Sequence, residues 1–428
     1  MKKKVLKQFA IFRIASIVVG MAVLLLTLHS CGGEDTSTKT ESLGTPEDNN
    51  NAFYNTTKTV AEKFNVFIES SASMDGYVNG NTEFKTCLHR LIGDVKADVL
   101  ENDSNISLNY INSKIIHIKE STKTFTDAMS PKSFSEAGGD RANSDIIDII
   151  ENVVKNTSQK EISMFVSDCI YSPQSADDID KALDKQQTDM KNILKNKVKS
   201  TPNFGVLIYR FVSNFDGIYY TKTNTHININ NNQRPYFVWF FGEKSILAKV
   251  SESISHIVTE NKAQSVIGIS GYSYIPYKTL NSGAPYHFTS VKTNEKGEYI
   301  FSFVADMNCL PLGKEYIENI NNYQCGKKNY YIKKIEKYSG KTYNYKYTIC
   351  VKGPKNDFLR QTTVDISLKS MLSELPDWIK KYDDPSGEDY NYGYNPKKLR
   401  TFGLNSLIEG VKDFYNSSDY VTFQIKIN

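Results

Sequence analysis

Four short runs, Val66–Ile68, Ile162–Val166, Phe204–Val212 and Tyr236–Phe241, are apolar at most positions rather than at every second one. A strand with one wet face alternates; a strand covered on both faces does not, so these runs predict buried strands of an α/β protein. Between them lie segments of helical period: Glu83–Leu100, Ser144–Val154, the more polar Ala176–Val198, and Ser245–Val258. In Ser144–Val154 the apolar residues Ile146, Ile147, Ile149, Ile150, Val153 and Val154 form one face, opened by a serine able to cap it. Strands alternating with helices predict a parallel sheet with helices on both faces. Ile106–Ile111 and Lys114–Ile118, separated only by Asn112 and Ser113, predict an antiparallel hairpin within it.

After about Tyr272 the helical signals largely stop. Tyr299–Ala305, Tyr330–Ile335, Tyr343–Val351, Thr363–Ser367 and Tyr420–Ile427 alternate between turn residues, and Leu404–Tyr415 is the one helical stretch. An antiparallel β-rich second domain is therefore expected over 276–428, after an α/β domain over 60–275. Roughly 370 residues beyond position 59 exceed what one core usually organises.

The N-terminus sets the compartment. Lys2, Lys3, Lys4 and Lys7 precede an almost purely apolar run, Ile14–Leu28, shorter than the roughly 20 residues of a membrane span. Leu28-His29-Ser30-Cys31 resembles a lipobox, which implies a signal peptide over 1–30, lipidation of Cys31 and a lipid anchor in a membrane of the cell envelope, the outer membrane in this reading. An uncleaved anchor helix is the alternative, and both leave the folded part outside the cytoplasm. From position 32 to 59 the chain is polar and almost devoid of apolar residues, as in a flexible tether.

Loss of residues 1–30 takes away five basic residues and no acid, so the formal charge falls from +4 to −1. A nearly neutral chain lacks the concentrated basic surface that nucleic acid requires. Of the remaining cysteines, Cys87, Cys169, Cys309, Cys325 and Cys350, an odd number at wide spacing is no disulfide framework and holds no CxxC pair for zinc. One bridge among Cys309, Cys325 and Cys350, or reduced core thiols throughout, are the two expectations.

Ligands of open α/β sheets bind beyond the carboxyl ends of the strands. Three segments fall there: Glu69-Ser70-Ser71-Ala72-Ser73-Met74-Asp75-Gly76-Tyr77, Ser167-Asp168-Cys169, and Gly138-Gly139-Asp140-Arg141-Ala142-Asn143-Ser144-Asp145 before a helix. Together they resemble the von Willebrand factor A domain, over roughly residues 60–260. That family holds a divalent cation with an Asp-x-Ser-x-Ser loop, a threonine of a Gly-rich loop and a later aspartate. The resemblance implies a Rossmann-like sheet with Glu69, Ser71, Ser73, Ser144 and Asp168 around Mg²⁺ or a similar cation, Asp140 being the alternative to Ser144. It further implies adhesion to a protein partner whose carboxylate completes the coordination. Glu69 is one methylene longer than the family's aspartate, so a metal-free version of the same site is the competing form, and Asp75 is the residue placed to compensate.

Two other readings stand beside it. One is a serine- or metal-dependent hydrolase using the 69–75 loop with Asp168, in which Ser71 or Ser73 as nucleophile needs a histidine base. His89, His117, His226, His256 and His287 sit in no recognisable motif. A structural subunit of an envelope assembly is the third. Among the 27 tyrosines, Tyr390, Tyr392 and Tyr394 cluster in one loop after the acidic 383–389 stretch, where exposed rings suit a protein or a glycan. Asp75, Tyr77 and these three tyrosines are the candidate partner-binding residues.

Overall fold

The computed structural model describes residues 60–142, 145–171, 178–220, 226–269, 275–280, 287–288, 298–307, 310–340, 346–354, 362–384, 400–416 and 419–427. Residues 1–59, with the expected signal segment, Cys31 and the expected tether, lie outside the described residues, as do Ser144, Cys309, Tyr390, Tyr392 and Tyr394.

Seven strands form the first sheet: β1 (Lys63–Glu69), β2 (Ile106–Ile111), β3 (Ile115–Ile118), β4 (Glu161–Ser167), β5 (Phe204–Tyr220), β6 (His226–Glu243) and β7 (Gln264–Gly268). Their order is β3-β2-β1-β4-β6-β5-β7. Only β1 with β2 and β1 with β4 run parallel; the β2–β3 hairpin is antiparallel as expected. The remaining pairs, β4–β6, β5–β6 and β5–β7, are antiparallel too, so the sheet is mixed rather than parallel. The reason lies in residues 213–220 and 226–235, whose Asn-rich composition disfavours strand but which pair as the outer part of β5 and β6. Pairing shifts between Phe215 and Gly217, and Asn231 takes a left-handed φ of 49° that asparagine tolerates better than most residues.

The apolar runs are buried on both faces. Phe64, Val66 and Ile68 of β1, Met164 and Val166 of β4, and Val238 and Phe240 of β6 enter one core, while Phe67, Phe165, Trp239 and Phe241 enter the opposite one. The first core is covered by α1 (Asp75–Val78), α2 (Glu83–Val99) and α6 (Lys244–Ser253), with α3 (Pro131–Ala137) and α7 (Ser255–Glu260) at its margins. The second is covered by α4 (Ile146–Lys155) and α5 (Ile179–Ser200). The cap of α4 is Asp145, whose carboxylate accepts from Ile147 N at 2.8 Å, one residue past the serine expected to do so.

Beyond β7, β8 (Tyr277–Thr279), β9 (His287–Phe288), β10 (Glu298–Ala305), β11 (Tyr323–Cys325), β12 (Tyr331–Lys337), β13 (Tyr347–Pro354), β14 (Thr362–Leu368) and β17 (Val421–Ile427) make two four-stranded sheets, β12-β13-β10-β8 and β11-β14-β17-β9. All described pairs in them are antiparallel except β17 with β9. The rings of Tyr277 and Phe303 meet Phe423 across the two sheets, at 5.2 and 5.1 Å. Cys325 and Cys350 are free thiols, as are Cys87 and Cys169.

The helix expected to belong to this second region does not stay there. After α8 (Asp377–Tyr382), β15 (Asp383–Asp384) and β16 (Thr401–Phe402), α9 (Leu404–Tyr415) lies on α5 and the first sheet's second core. Gly410 allows that approach, since a Cβ there would stand 2.5 Å from Gln187 O, and Tyr415 Oη donates to Phe204 O at 3.0 Å. The described residues accordingly form one compact unit. Among the described residues no helix is long and apolar enough to cross a membrane.

Candidate functional site

Parallel pairing of Ile68 with Val166 brings the ends of β1 and β4 side by side, so Glu69 and Asp168 leave the sheet as neighbours. Both are buried, at 5 % and 2 % exposure. Ser167 Oγ donates to the Glu69 carboxylate and accepts from Cys169 N at 2.7 Å, which fixes the turn in which Cys169 adopts a φ of 53°. Asp168 Oδ1 accepts from Ile170 N at 3.3 Å, and the Ser73 hydroxyl acts on the same buried carboxyl.

Burial pushes the Glu69 carboxyl up to about 7, and the negative charge of Asp168 adds to it against the opposing hydroxyls of Ser167 and Ser71. Burial raises Asp168 as well, opposed first by the positive charge of Arg234. Two carboxyls sharing a dry volume resist double ionisation.

Ser71 and Ser73 hydroxyls lie 3.0 Å apart in the loop after β1. That loop is clamped by Arg141, which donates from Nε to Ser70 O at 2.8 Å and from Nη2 to Ser71 O at 3.3 Å, and ion-pairs with Asp75. Ala72 N returns a bond to Arg141 O at 3.1 Å. Asn112 links the same loop to the glycines, donating to Ser70 Oγ at 3.2 Å and to Gly138 O at 2.9 Å. Gly139, at φ +85°, is required there because a Cβ would overlap the Asn112 amide.

The three segments singled out in the sequence therefore meet. Glu69, Ser71, Ser73 and Asp168 come together; Ser144 lies outside the described residues, and Asp140 is exposed, its Oδ1 accepting from Ala142 N at 2.9 Å. Asp75 does not compensate for Glu69, because Arg141 holds its carboxylate. Tyr77 is not a surface contact: it is fully buried, its ring 4.9 Å from Phe215 and its hydroxyl donating to Pro235 O. None of the described hydrogen bonds joins Ser71 or Ser73 to a histidine; His89 bonds Thr126, His117 bonds Asn109 and His256 pairs with Asp94. A cleft of about 460 Å³ between α4 and α5, lined by Asp148, Glu151, Asp189 and Lys197 among others, lies apart from these residues.

Sequence reasoning passed over Arg141, Asn112, Ser167 and Arg234. Arg141 and Asn112 were legible only as loop residues. Arg234 stands at the lip of the apolar run Tyr236–Phe241, a lone cation where the chain enters a buried strand, and that position was its only signal. Among the described residues no group of three or more His, Cys, Asp or Glu side chains is arranged around a metal position, so any cation here would rely on hydroxyl oxygens beside the two carboxylates. Compared with models of known families, with curated proteins and with solved structures, the chain matches none.

Proposed function

We propose that this chain is a lipid-anchored protein of the cell envelope that binds a protein partner at the carboxyl end of its first sheet, through a von Willebrand A-like site. The observation that carries the reading is the convergence of Glu69 and Asp168 at the carboxyl ends of neighbouring parallel strands, both buried, with the Ser71 hydroxyl acting on the first carboxyl and the Ser73 hydroxyl on the second. Ser71 and Ser73 add two hydroxyls, so every donor is oxygen, the set a hard cation such as Mg²⁺ accepts. The order β3-β2-β1-β4 with an antiparallel β3 supports the family reading; the antiparallel β6 beside β4 is where the sheet departs from it.

In this reading Glu69 and Asp168 hold the cation directly or through water, Ser71 and Ser73 orient it, and Arg141 keeps the serine loop in place. The bound cation would offer an open coordination position to a carboxylate of the partner. Cys31, outside the described residues, would carry the lipid.

Thermal unfolding of chelator-stripped protein, titrated with Mg²⁺, Mn²⁺ and Ca²⁺ beside Asp168→Ala, tests this. A cation at a hundredfold excess over its dissociation constant adds about 2.7 kcal/mol to the folded state. A shift present in the wild type and absent in the variant is expected. No shift at millimolar metal would remove the cation from the proposal and leave only metal-free recognition at these loops.

A further inference from the structure

The β5–β6 hairpin outruns its neighbours. β4 pairs with β6 only as far as Phe237, and β7 pairs with β5 only as far as Arg210, so residues 211–220 and 226–236 continue as a two-stranded arm. The register that sets Ser167 against Phe237 carries Arg234 three residues past the end of β4, level with the turn bearing Asp168. Arg234 has no exposed surface, and its guanidinium stacks 4.4 Å from the Tyr219 ring and 5.3 Å from the Phe215 ring, both on the arm. The arm is pinned to α1, the helix that ends the serine loop: a Cβ on Gly217 would lie 2.8 Å from the Cα of Gly76.

A buried guanidinium cannot shed its charge, and a buried charge persists only where opposite charge meets it. Arg234 is the cation whose field opposes the burial of Asp168. The second cation of the neighbourhood, Arg141, is committed to Asp75. Among the described residues the buried volume thus holds two carboxyls and one permanent cation.

We propose that Arg234 sets the divalent-cation affinity of this site: it is an internal counter-charge, carried in by the hairpin arm, that takes up part of the acid pair's charge and so weakens binding of divalent metal. The inference rests on the Glu69–Asp168 site being the cation position. It makes the arm, rather than the serine loop, the element that decides metal affinity.

Calorimetric titration of the full chain in detergent with MnCl₂ tests it, using wild type, Arg234→Met, Arg234→Lys and Asp168→Asn. Removing a unit charge at this depth is expected to tighten Mn²⁺ by about tenfold or more, since buried charges of one neighbourhood interact more strongly than exposed ones. Arg234→Lys, which keeps the charge, should stay within about threefold of wild type, and Asp168→Asn should abolish binding. Binding by Arg234→Met alone supports the inference while removing metal from the wild-type function. Wild-type binding, lost in Asp168→Asn yet unchanged or weakened in Arg234→Met, overturns the inference and leaves the site reading standing. No binding by any form overturns both. Apo thermal midpoints give an independent readout, which also applies if Arg234→Met folds poorly: the Arg234→Met/Asp168→Asn pair should be more stable than the sum of the single losses predicts. Additive losses, or a double variant no better folded than Arg234→Met, overturn the charge pairing.

Discussion

The first sheet and the β-rich region bury their strands differently. In β1 and β4 six of seven consecutive residues are buried, whereas β17 alternates buried and exposed along its whole length. A strand wet on one face lets polar side chains out at every second position; a strand covered on both lets them out only at its ends. The first sheet therefore concentrates its buried carboxyls at the carboxyl ends of β1 and β4, where desolvation acts on both at once. Two-sided cover and the candidate site have the same origin.

Core truncation breaks the comparison most strongly. Phe165→Ala, inside the two-faced sheet, should cost about 3–5 kcal/mol in chemical denaturation, while Lys426→Ala on the wet face of β17 should stay within about 0.5 kcal/mol. Equal effects would show that cover, as described, does not set the energetics.

Gly139→Ala should cost about 2 kcal/mol, combining a positive φ with overlap against Asn112. Gly138→Ala shares the positive φ but has its nearest neighbour, Lys114 Nζ, at 3.8 Å, so its loss should be about half as large. Matching losses would argue that strain alone, not packing on the site loop, governs this segment.

The raised Glu69 carboxyl makes a prediction of defined sign. The folded state holds its proton more tightly than the unfolded chain, so the stabilisation is complete below the ordinary value of 4.5 and is lost as pH rises through about 7. Thermal midpoints should fall across that window in the wild type, and Glu69→Gln should flatten the fall and exceed wild type at pH 8. A parallel profile in both forms would locate the titration elsewhere.

The smallest expected effect joins the two regions. Asp383 Oδ1 accepts from Asn405 N at 2.9 Å at the start of α9, so Asp383→Ala should cost about 1 kcal/mol by loss of a helix cap. A neutral outcome would show that the seating of α9 on the first sheet does not depend on this cap.

Much of this was readable in advance. The runs that form β1, β4 and the inner halves of β5 and β6 are recognisable because continuous apolarity reports burial on both faces, and β17 because alternation reports burial on one; β10, β13 and β14 were recognised as strands, yet each buries three consecutive residues. Glu69, Ser71, Ser73 and Asp168 were found because strand ends are where a covered sheet releases polar residues. The outer halves of β5 and β6 were missed because Asn230, Asn231 and Asn232 argue against strand locally, and pairing with the opposite strand overrides that. Tyr77 was misread as a contact residue because its loop position says nothing of the hairpin arm that buries it.

What the sequence by itself determined is which segments bury which faces, since side-chain periodicity is a local record of solvent contact. The partners of those faces were decided only in three dimensions: β6 rather than a parallel strand beside β4, α9 rather than a nearer helix over α5, Arg141 on Asp75, and Arg234 beside Asp168. Periodicity encodes that a surface is covered, while the choice among possible covers depends on register, close approach at Gly76, Gly217 and Gly410, and charge matching between residues far apart in the chain.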